Sequence, residues 1–289
     1  MANATRENII DLAKKAGLEA HSEKLGKLLR PSIALTTQAS DELPTGASKF
    51  GGLPDLPPGF AWPSYHGRPL SFIAQIRMKD TAPYDTEKLL PPTGLLYFFY
   101  DEKQWEEGEP YEAGRWHVHY HQGDESVLKR AEAPAGIGHV YKAAALAFAP
   151  EMTLPPYESY GTAVEMGWSD QTMQQHKPEI EAFWSLGEQV TNLASETSSV
   201  RSRMLGYPDQ VQGDVMLEAE TAARGLQPGG CHYEDCGDAV KNWLLLLQVD
   251  SDPNADMRWN DQGRLYFVIP QDALRERHFE RVICVMQSN

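Results

Sequence analysis

At 289 residues, with 41% hydrophobic and 23% charged side chains, the chain has an ordinary globular composition and enough length to bury a core without disulfide staples. Its 41 acidic against 26 basic side chains give a net charge of -15, which argues against nucleic acid and anionic membranes as partners; a basic protein or a cation is what such a field attracts. Three cysteines are too few for a disulfide framework, residues 1–11 carry no apolar leader, and the longest apolar runs, 143–149 and 243–247, are too short to span a bilayer, so the expected compartment is the reducing cytoplasm.

In chain order, Ile9, Ile10, Leu12, Ala13 and Ala16 fall on one stripe and predict a helix over 5–16, with Gly17 as its stop. A second helical stretch, 18–29, ends before Pro31. A short strand over 32–37 leads into a Pro/Gly-rich passage, 43–63, that cannot hold regular structure for long. Segment 71–78 alternates, with Phe72, Ala74 and Ile76 on one face, whereas 95–100 is apolar throughout and predicts a strand buried on both faces. A charged loop, 101–112, precedes another alternating strand at 116–121. The second half opens near Val140 with a strand over 143–149. A helix over 178–194 starts at Pro178 and carries Ile180, Phe183, Trp184, Leu186 and Val190 at near-helical spacing. Strands beginning at Trp243 and Gly263, and a last one over 281–287, close the chain.

Three blocks occur twice in the same order. Gly52-Leu53-Pro54-Asp55 returns as Gly206-Tyr207-Pro208-Asp209, Leu70-Ser71-Phe72-Ile73-Ala74-Gln75-Ile76 as Trp243-Leu244-Leu245-Leu246-Leu247-Gln248-Val249, and Gly94-Leu95-Leu96-Tyr97-Phe98 as Gly263-Arg264-Leu265-Tyr266-Phe267. A repeat sets architecture before any local signal does. The expected fold is α+β with an internal duplication: N-terminal helices in 1–30, then two related β-rich halves, 31–139 and 140–289. With no linker-like segment between the halves, one domain with pseudo-twofold symmetry is expected.

The same blocks carry a family resemblance. Phe50-Gly51-Gly52-Leu53-Pro54-Asp55-Leu56-Pro57, Pro69 to Ile76, Gly94 to Asp101, Leu205 to Asp209, Leu245 to Asp252 and Gly263 to Phe267 together resemble the YwqG-like family, a bacterial group of unknown function, most firmly over residues 30–287. The resemblance implies an α+β fold with an internal duplication and brings no activity, cofactor or catalytic residue. Some relatives lie near bacterial toxin genes, which implies a protein-binding or immunity-type role. Relatives tend to place a glycine between Trp and Asp in the second half; this chain has Trp259-Asn260-Asp261, which implies a turn built differently here.

Several residues are candidates for chemistry. Asp55 and Asp209 either bond their own backbone in Gly-x-Pro-Asp turns or present paired carboxylates to one cleft, for acid/base work or a metal. Gln75 and Gln248 either recognise a ligand or tie down neighbouring backbone. Asp250, Asp252 and Asn254 match the first, third and fifth places of a calcium loop and Asp261 the twelfth, so calcium or another divalent cation is the cofactor this pattern would take; Ala255 at the sharp turn and the intruding Arg258 fit it poorly. His117, His119 and His121 share one strand face, either as zinc or copper ligands or as a solvated surface with Val118 and Tyr120 turned inward. Cys231 and Cys236 have the wrong spacing for a zinc knuckle and read as incidental thiols of a loop. Trp62, Tyr65, His66, Trp105, Tyr111 and Trp116 are aromatics suited to an interface, although Trp62 beside Pro63 more readily caps its own core. The Gly-x-Ser-x-Gly elbow, the Walker loop, the Rossmann glycines and His-Glu-x-x-His are all missing, which lowers the odds of the common enzyme classes.

The expected function is that of a cytoplasmic, non-enzymatic binding protein that recognises another protein through acidic loops and aromatics, with a basic toxin-like partner in view. The alternative is a small-molecule or metal-binding protein, even a hydrolase, with Asp55, Asp209, Gln75, Gln248 and Trp62 around a cleft between the halves and the Asp250 loop nearby.

Overall fold

Ten strands join into one antiparallel sheet in the computed structural model, which describes residues 5–40, 42–104, 106–108, 111–169, 172–194 and 200–289. They are β1 (Arg30–Ala39), β2 (Lys49–Phe50), β3 (Ser71–Arg77), β4 (Leu95–Tyr100), β5 (Trp116–His121), β6 (Ala144–Thr153), β7 (Ser202–Leu205), β8 (Trp243–Asp250), β9 (Arg264–Pro270) and β10 (Ile283–Gln287). Their order across the sheet is β10-β9-β8-β7-β1-β6-β2-β3-β4-β5. The long β1–β6 pair, in register from Arg30 against Thr153 to Ala39 against Ala144, sits at the centre. On either side lie a short strand (β7 or β2), a bulged strand (β8 or β3), and two more strands. The bulges fall at Leu245/Leu247 and Phe72/Ala74, each just ahead of a glutamine, Gln248 or Gln75.

Burial explains why the central strands are apolar at nearly every position. One face of the sheet lines a single core that includes Ile33, Leu96, Phe98, Leu247, Leu265 and Phe267, with the Phe98 and Phe267 rings edge to face at 5.0 Å. The opposite face carries two separate clusters. Phe72, Leu95, Tyr97 and Phe99 lie with Phe60 and Trp62, and Leu245, Tyr266, Val268 and Val285 lie with Val215 and Ala219 of a helix. The alternation expected over 71–78 is therefore absent as a burial pattern: β3 is buried at every position except Arg77, because both of its faces are covered. At the far end, Trp116 Nε1 donates to Val282 O at 2.6 Å and Tyr120 packs on Phe279, which draws β5 toward the segment that enters β10.

A helical layer stands beside the sheet. It contains α1 (Arg6–Lys15), α2 (Ser22–Leu28), α3 (Tyr160–Met166) and α4 (Lys177–Ala194), which share an apolar cluster of Ile9, Leu25, Met166, Phe183 and Leu186. Thr5 caps α1 through a hydrogen bond from Asn8 N, so the predicted 5–16 helix stands almost as drawn. The stretch 18–29 divides into the 3-10 turn Glu19–His21 and α2. Among the helices not anticipated are α3, capped by Ser159 and ended by Gly167, and α5 (Val215–Ala223), whose cap Asp214 accepts from Met216 N and Leu217 N.

Two local expectations change. Cys231 and Cys236, read from sequence as incidental thiols, are joined as a disulfide, while Cys284 is free and buried. In the Trp259-Asn260-Asp261 turn, Asn260 adopts φ 47, a conformation asparagine tolerates better than most residues, so it stands in for the expected glycine. No helix among the described residues is long and apolar enough to cross a membrane.

Candidate functional site

Each of the two Gly-x-Pro-Asp turns builds a polar constellation at a strand end. In the first, Gly52 has φ 67, and a Cβ there would meet the Ala143 Cβ at 2.9 Å, so the chain needs glycine to pass. The turn delivers Asp55 to β3. Asp55 N donates to Gln75 Oε1 at 2.7 Å, and Tyr97 from β4 donates its hydroxyl to Asp55 O at 2.6 Å. The carboxylate is saturated: Gly46 N, Lys49 Nζ and Gln75 Nε2 donate to Oδ2 at 3.0, 3.1 and 2.9 Å, and Arg130 Nε donates to Oδ1 at 2.5 Å. Its side chain is 0% exposed. Burial alone raises the Asp55 carboxyl, but the hydrogen bonds from Arg130 and Gln75 and the Lys49 charge outweigh it and hold the group below the usual carboxylate range. Burial likewise brings the Lys49 ammonium down to about 8, against the pull of Asp55.

The second constellation uses the same plan with different surroundings. Gly206 has φ 69, and a Cβ there would lie 2.5 Å from Thr153 Oγ1 and 2.7 Å from Ser32 Cβ. Asp209 N donates to Gln248 Oε1 at 2.9 Å and Tyr266 donates its hydroxyl to Asp209 O at 2.6 Å. Arg203, directly across from Gln248, pairs with Asp209 Oδ2 at 2.8 Å and forks onto Glu151 at 2.9 and 3.1 Å. Arg264 Nη1 donates to Asp209 O at 3.0 Å, and its Nε faces Asp250 Oδ1 at 3.2 Å. Burial raises the Asp209 carboxyl, but Arg203, Arg264 and Arg201 together hold it below its ordinary range.

Unlike Asp55, Asp209 keeps a side chain 16% exposed. It lines a cavity of about 630 Å³ between the end of α4, the Pro155–Pro156 segment and the second constellation. Arg201, Gln210 and Arg264 join Asp209 on its polar side, and Phe183, Trp184 and Gly187 of α4 line the helical side. Trp184 is 55% exposed.

The structure distributes the expected site residues as follows. Asp55 with Gln75, and Asp209 with Gln248, have no partner in common, and Asp55 is sealed by its own hydrogen bonds, so the two carboxylates do not face one cleft as the alternative reading required. Both glutamines clamp backbone: Gln75 Nε2 donates to Ala47 O at 2.9 Å and Gln248 Nε2 donates to Arg201 O. Trp62 donates to Leu70 O at 2.9 Å and meets Phe99 edge to face, capping its own cluster away from Asp209. The residues of the calcium-loop pattern have protein partners. Asp250 accepts from Arg201 N and pairs with Arg264, Asp252 accepts from Thr37 Oγ1 and Asn254 N, Asn254 donates to Thr37, and the Asp261 carbonyl accepts from Asn289 N. Asp252 and Asn254 thus fasten the hairpin to Thr37 of β1, while Asp250 is engaged by Arg201 and Arg264. Among the described residues no group of three or more His, Cys, Asp or Glu is placed to hold a metal ion.

Most of the remaining candidates have structural partners, whereas His121 Nε2 is buried without a hydrogen-bond partner among the described residues. His117 and His119 stack at 6.4 Å, and His119 packs 4.8 Å from Phe60, with burial lowering both imidazoles. Tyr65 donates to Glu112 beneath Arg115, whose guanidinium lies 4.2 Å over its ring; His66 faces Glu112, and Tyr111 donates to Glu218 at 2.8 Å. Trp105 lies outside the described residues.

Sequence reasoning missed the basic half of both constellations. The signal was present: Ser48-Lys49 precedes Asp55 as Ser202-Arg203 precedes Asp209, at the same distance, and each serine hydroxyl accepts from backbone two residues beyond a clamping glutamine, Arg77 N at 2.9 Å and Asp250 N at 3.0 Å. Arg201 and Gln210 carry no such signal, because only the fold brings them to the cavity.

No curated protein matches the chain. A family model described as a domain of unknown function, DUF1963, matches residues 48–288, a span that holds both constellations and the polar side of the cavity. The chain belongs to the DUF1963 family.

Proposed function

We propose that this protein acts by binding, without covalent catalysis, and that its ligand occupies the cavity beside Asp209. One observation carries the reading: two constellations of the same design differ in access, Asp55 being 0% and Asp209 16% exposed, and Asp209 opens on a cavity of about 630 Å³. A volume of that order suits a small molecule or a side chain of a partner. The described lining residues include no histidine or cysteine; the polar groups are Arg201 and Arg264, the amides of Asn192 and Gln210, Thr191, and the carboxylates of Asp209, Glu158 and Glu188, a set suited to recognition.

The test uses a block. Gly187 lies on α4 at the cavity, and a Cβ there would meet nothing within 4 Å, so Gly187→Phe enters the cavity without displacing the helix. Thermal unfolding against a metabolite panel should find a compound that stabilises the wild type, by about 2.7 kcal/mol at a hundredfold excess over its Kd, and leaves Gly187→Phe unmoved. A flat panel, or a compound that shifts both proteins equally, contradicts the reading.

We also infer that the chain is an internal duplication and sits among the YwqG-like members of its family. The matched bulges, the paired glutamine clamps and the tyrosine hydroxyls on Asp55 O and Asp209 O support this. In this account the first constellation retains the structural task and the second has become the binding one. The cytoplasm is its proposed location, tested by cell fractionation.

A second reading, recognition of a basic toxin-like protein, draws on the net charge of -15 and the exposed Trp184. The acidic loop after β4 supports it less than its composition implies, since Asp101 and Glu107 are bound to Arg68 and Arg115. Capture of one basic protein that is lost on Trp184→Ala, and weakened by salt, would favour this reading.

A further inference from the structure

We propose that the ligand of the Asp209 cavity carries a carboxylate monoanion on an apolar body, seated on Arg201 and Gln210; this rests on reading that cavity as the binding site. Three arginines meet around Asp209, and two of them are matched within the protein. Arg203 is held by Glu151 and Asp209, and Arg264 by Asp250 and the Asp209 carbonyl. Arg201 differs. Its backbone is tied on both sides, its N–H donating to Asp250 Oδ2 at 2.8 Å and its carbonyl accepting from Gln248, so its position is fixed. Its Nε is buried and makes no hydrogen bond among the described residues; Arg264 Nε makes none either, but it lies 3.2 Å from the Asp250 carboxylate, and Arg201 has no such ion pair among them. Gln210 Nε2, on the same cavity wall, is also buried without an acceptor. A buried donor without an acceptor costs free energy, and a guanidinium fork is shaped for two acceptor oxygens in a plane.

The choice among acceptors follows from the rest of the lining. A neutral carbonyl would offer the Arg201 fork one acceptor atom and make no use of its charge. A phosphate dianion would bring two negative charges beside Asp209, Glu158 and Glu188, which line the same cavity. A single carboxylate adds one charge and brings two coplanar acceptors to the Arg201 fork. The opposite wall supplies Pro155, Pro156, Phe183 and Trp184, surfaces for an aryl or alkyl body.

The experiment titrates the whole protein with benzoate, phenylacetate and hexanoate, with their primary amides, and with phenyl phosphate, following calorimetry and thermal unfolding. The carboxylates should bind saturably, about tenfold or more tighter than the matched amides and the phosphate ester, and Arg201→Gln should lose that margin while unfolding near the wild-type temperature. Gln210→Leu, which leaves Arg201 in place, should weaken the carboxylates selectively and serves if Arg201→Gln folds poorly. Amides or phenyl phosphate binding as tightly as the acids, or full affinity in both variants, would overturn the proposal. If that binding were still abolished by Gly187→Phe, the cavity would stand and only the carboxylate would fall; if no binding depended on Gly187, both would fall.

Discussion

Asp55 and Asp209 occupy the same place in a repeated stretch of sequence, and the partners around them set different consequences for each. Replacing Asp55 by Asn leaves Lys49 and Arg130 facing a neutral group in a sealed site, a loss of about 3–5 kcal/mol at pH 7. The Asp55 carboxyl is held below its unfolded value of 3.8, so its stabilisation is complete above that value and fades as pH falls through the lower folded one. Denaturant unfolding of both proteins across pH should therefore show the part of the gap due to Asp55 shrinking as pH falls below about 4. Glycines give a second contrast. Gly206→Ala combines a left-handed φ with a Cβ 2.5 Å from Thr153 Oγ1 and should cost about 2–4 kcal/mol; Gly17→Ala, whose Cβ meets nothing within 4 Å, should cost only about 1 kcal/mol. Urea midpoints separate the two. At this scale the turn glycines and aspartates could be read from the sequence because their duplication marked them. Their charged partners could not be paired from it: Arg130 lies 75 residues from Asp55 in the chain, and only the strand pairing of Asp55 with Arg130 unites them.

The elements reflect how periodicity and capping divide the information. Helix α4 was legible because its apolar residues recur at helical spacing, and the structure buries Phe183, Leu186 and Val190 among α1 and α2. Phe183→Ala should cost about 3–5 kcal/mol, whereas Trp184→Ala, on the exposed side of the same helix, should change stability by less than about 1 kcal/mol. Equal losses in the two variants would mean that α4 sits differently on its neighbours. The short helices α3 and α5 escaped the sequence reading because their apolar stripes are brief and their starts depend on caps, Ser159 and Asp214, that resemble ordinary loop residues. The alternating pattern of β3 misled for a different reason. Ser71 and Gln75 are buried there, Gln75 through specific hydrogen bonds, so polarity does not report exposure.

Across the whole molecule, both halves contribute to one core, in which Phe98 meets Phe267 and Tyr100 and Tyr141 meet Trp259. Unfolding should accordingly be a single transition, with far-ultraviolet dichroism and tryptophan emission giving coincident urea curves; two separated transitions would mean that the halves are independent units. The α+β class and the strands were readable because hydrophobic runs and turn residues are local signals. The cavity was not, because it arises where a helical layer meets one side of a sheet, and no segment alone encodes that meeting. In the proposed function, one constellation is closed to hold the fold while the other is open to hold a ligand. Amide hydrogen exchange of the intact protein, with and without the tightest-binding carboxylate, tests it most directly. The account predicts added protection in residues 187–192 and 207–210, around Gly187 and Asp209, with residues 46–56 and 128–131 around Asp55 unchanged; protection centred on the Asp55 segments, or none at the cavity, would contradict it.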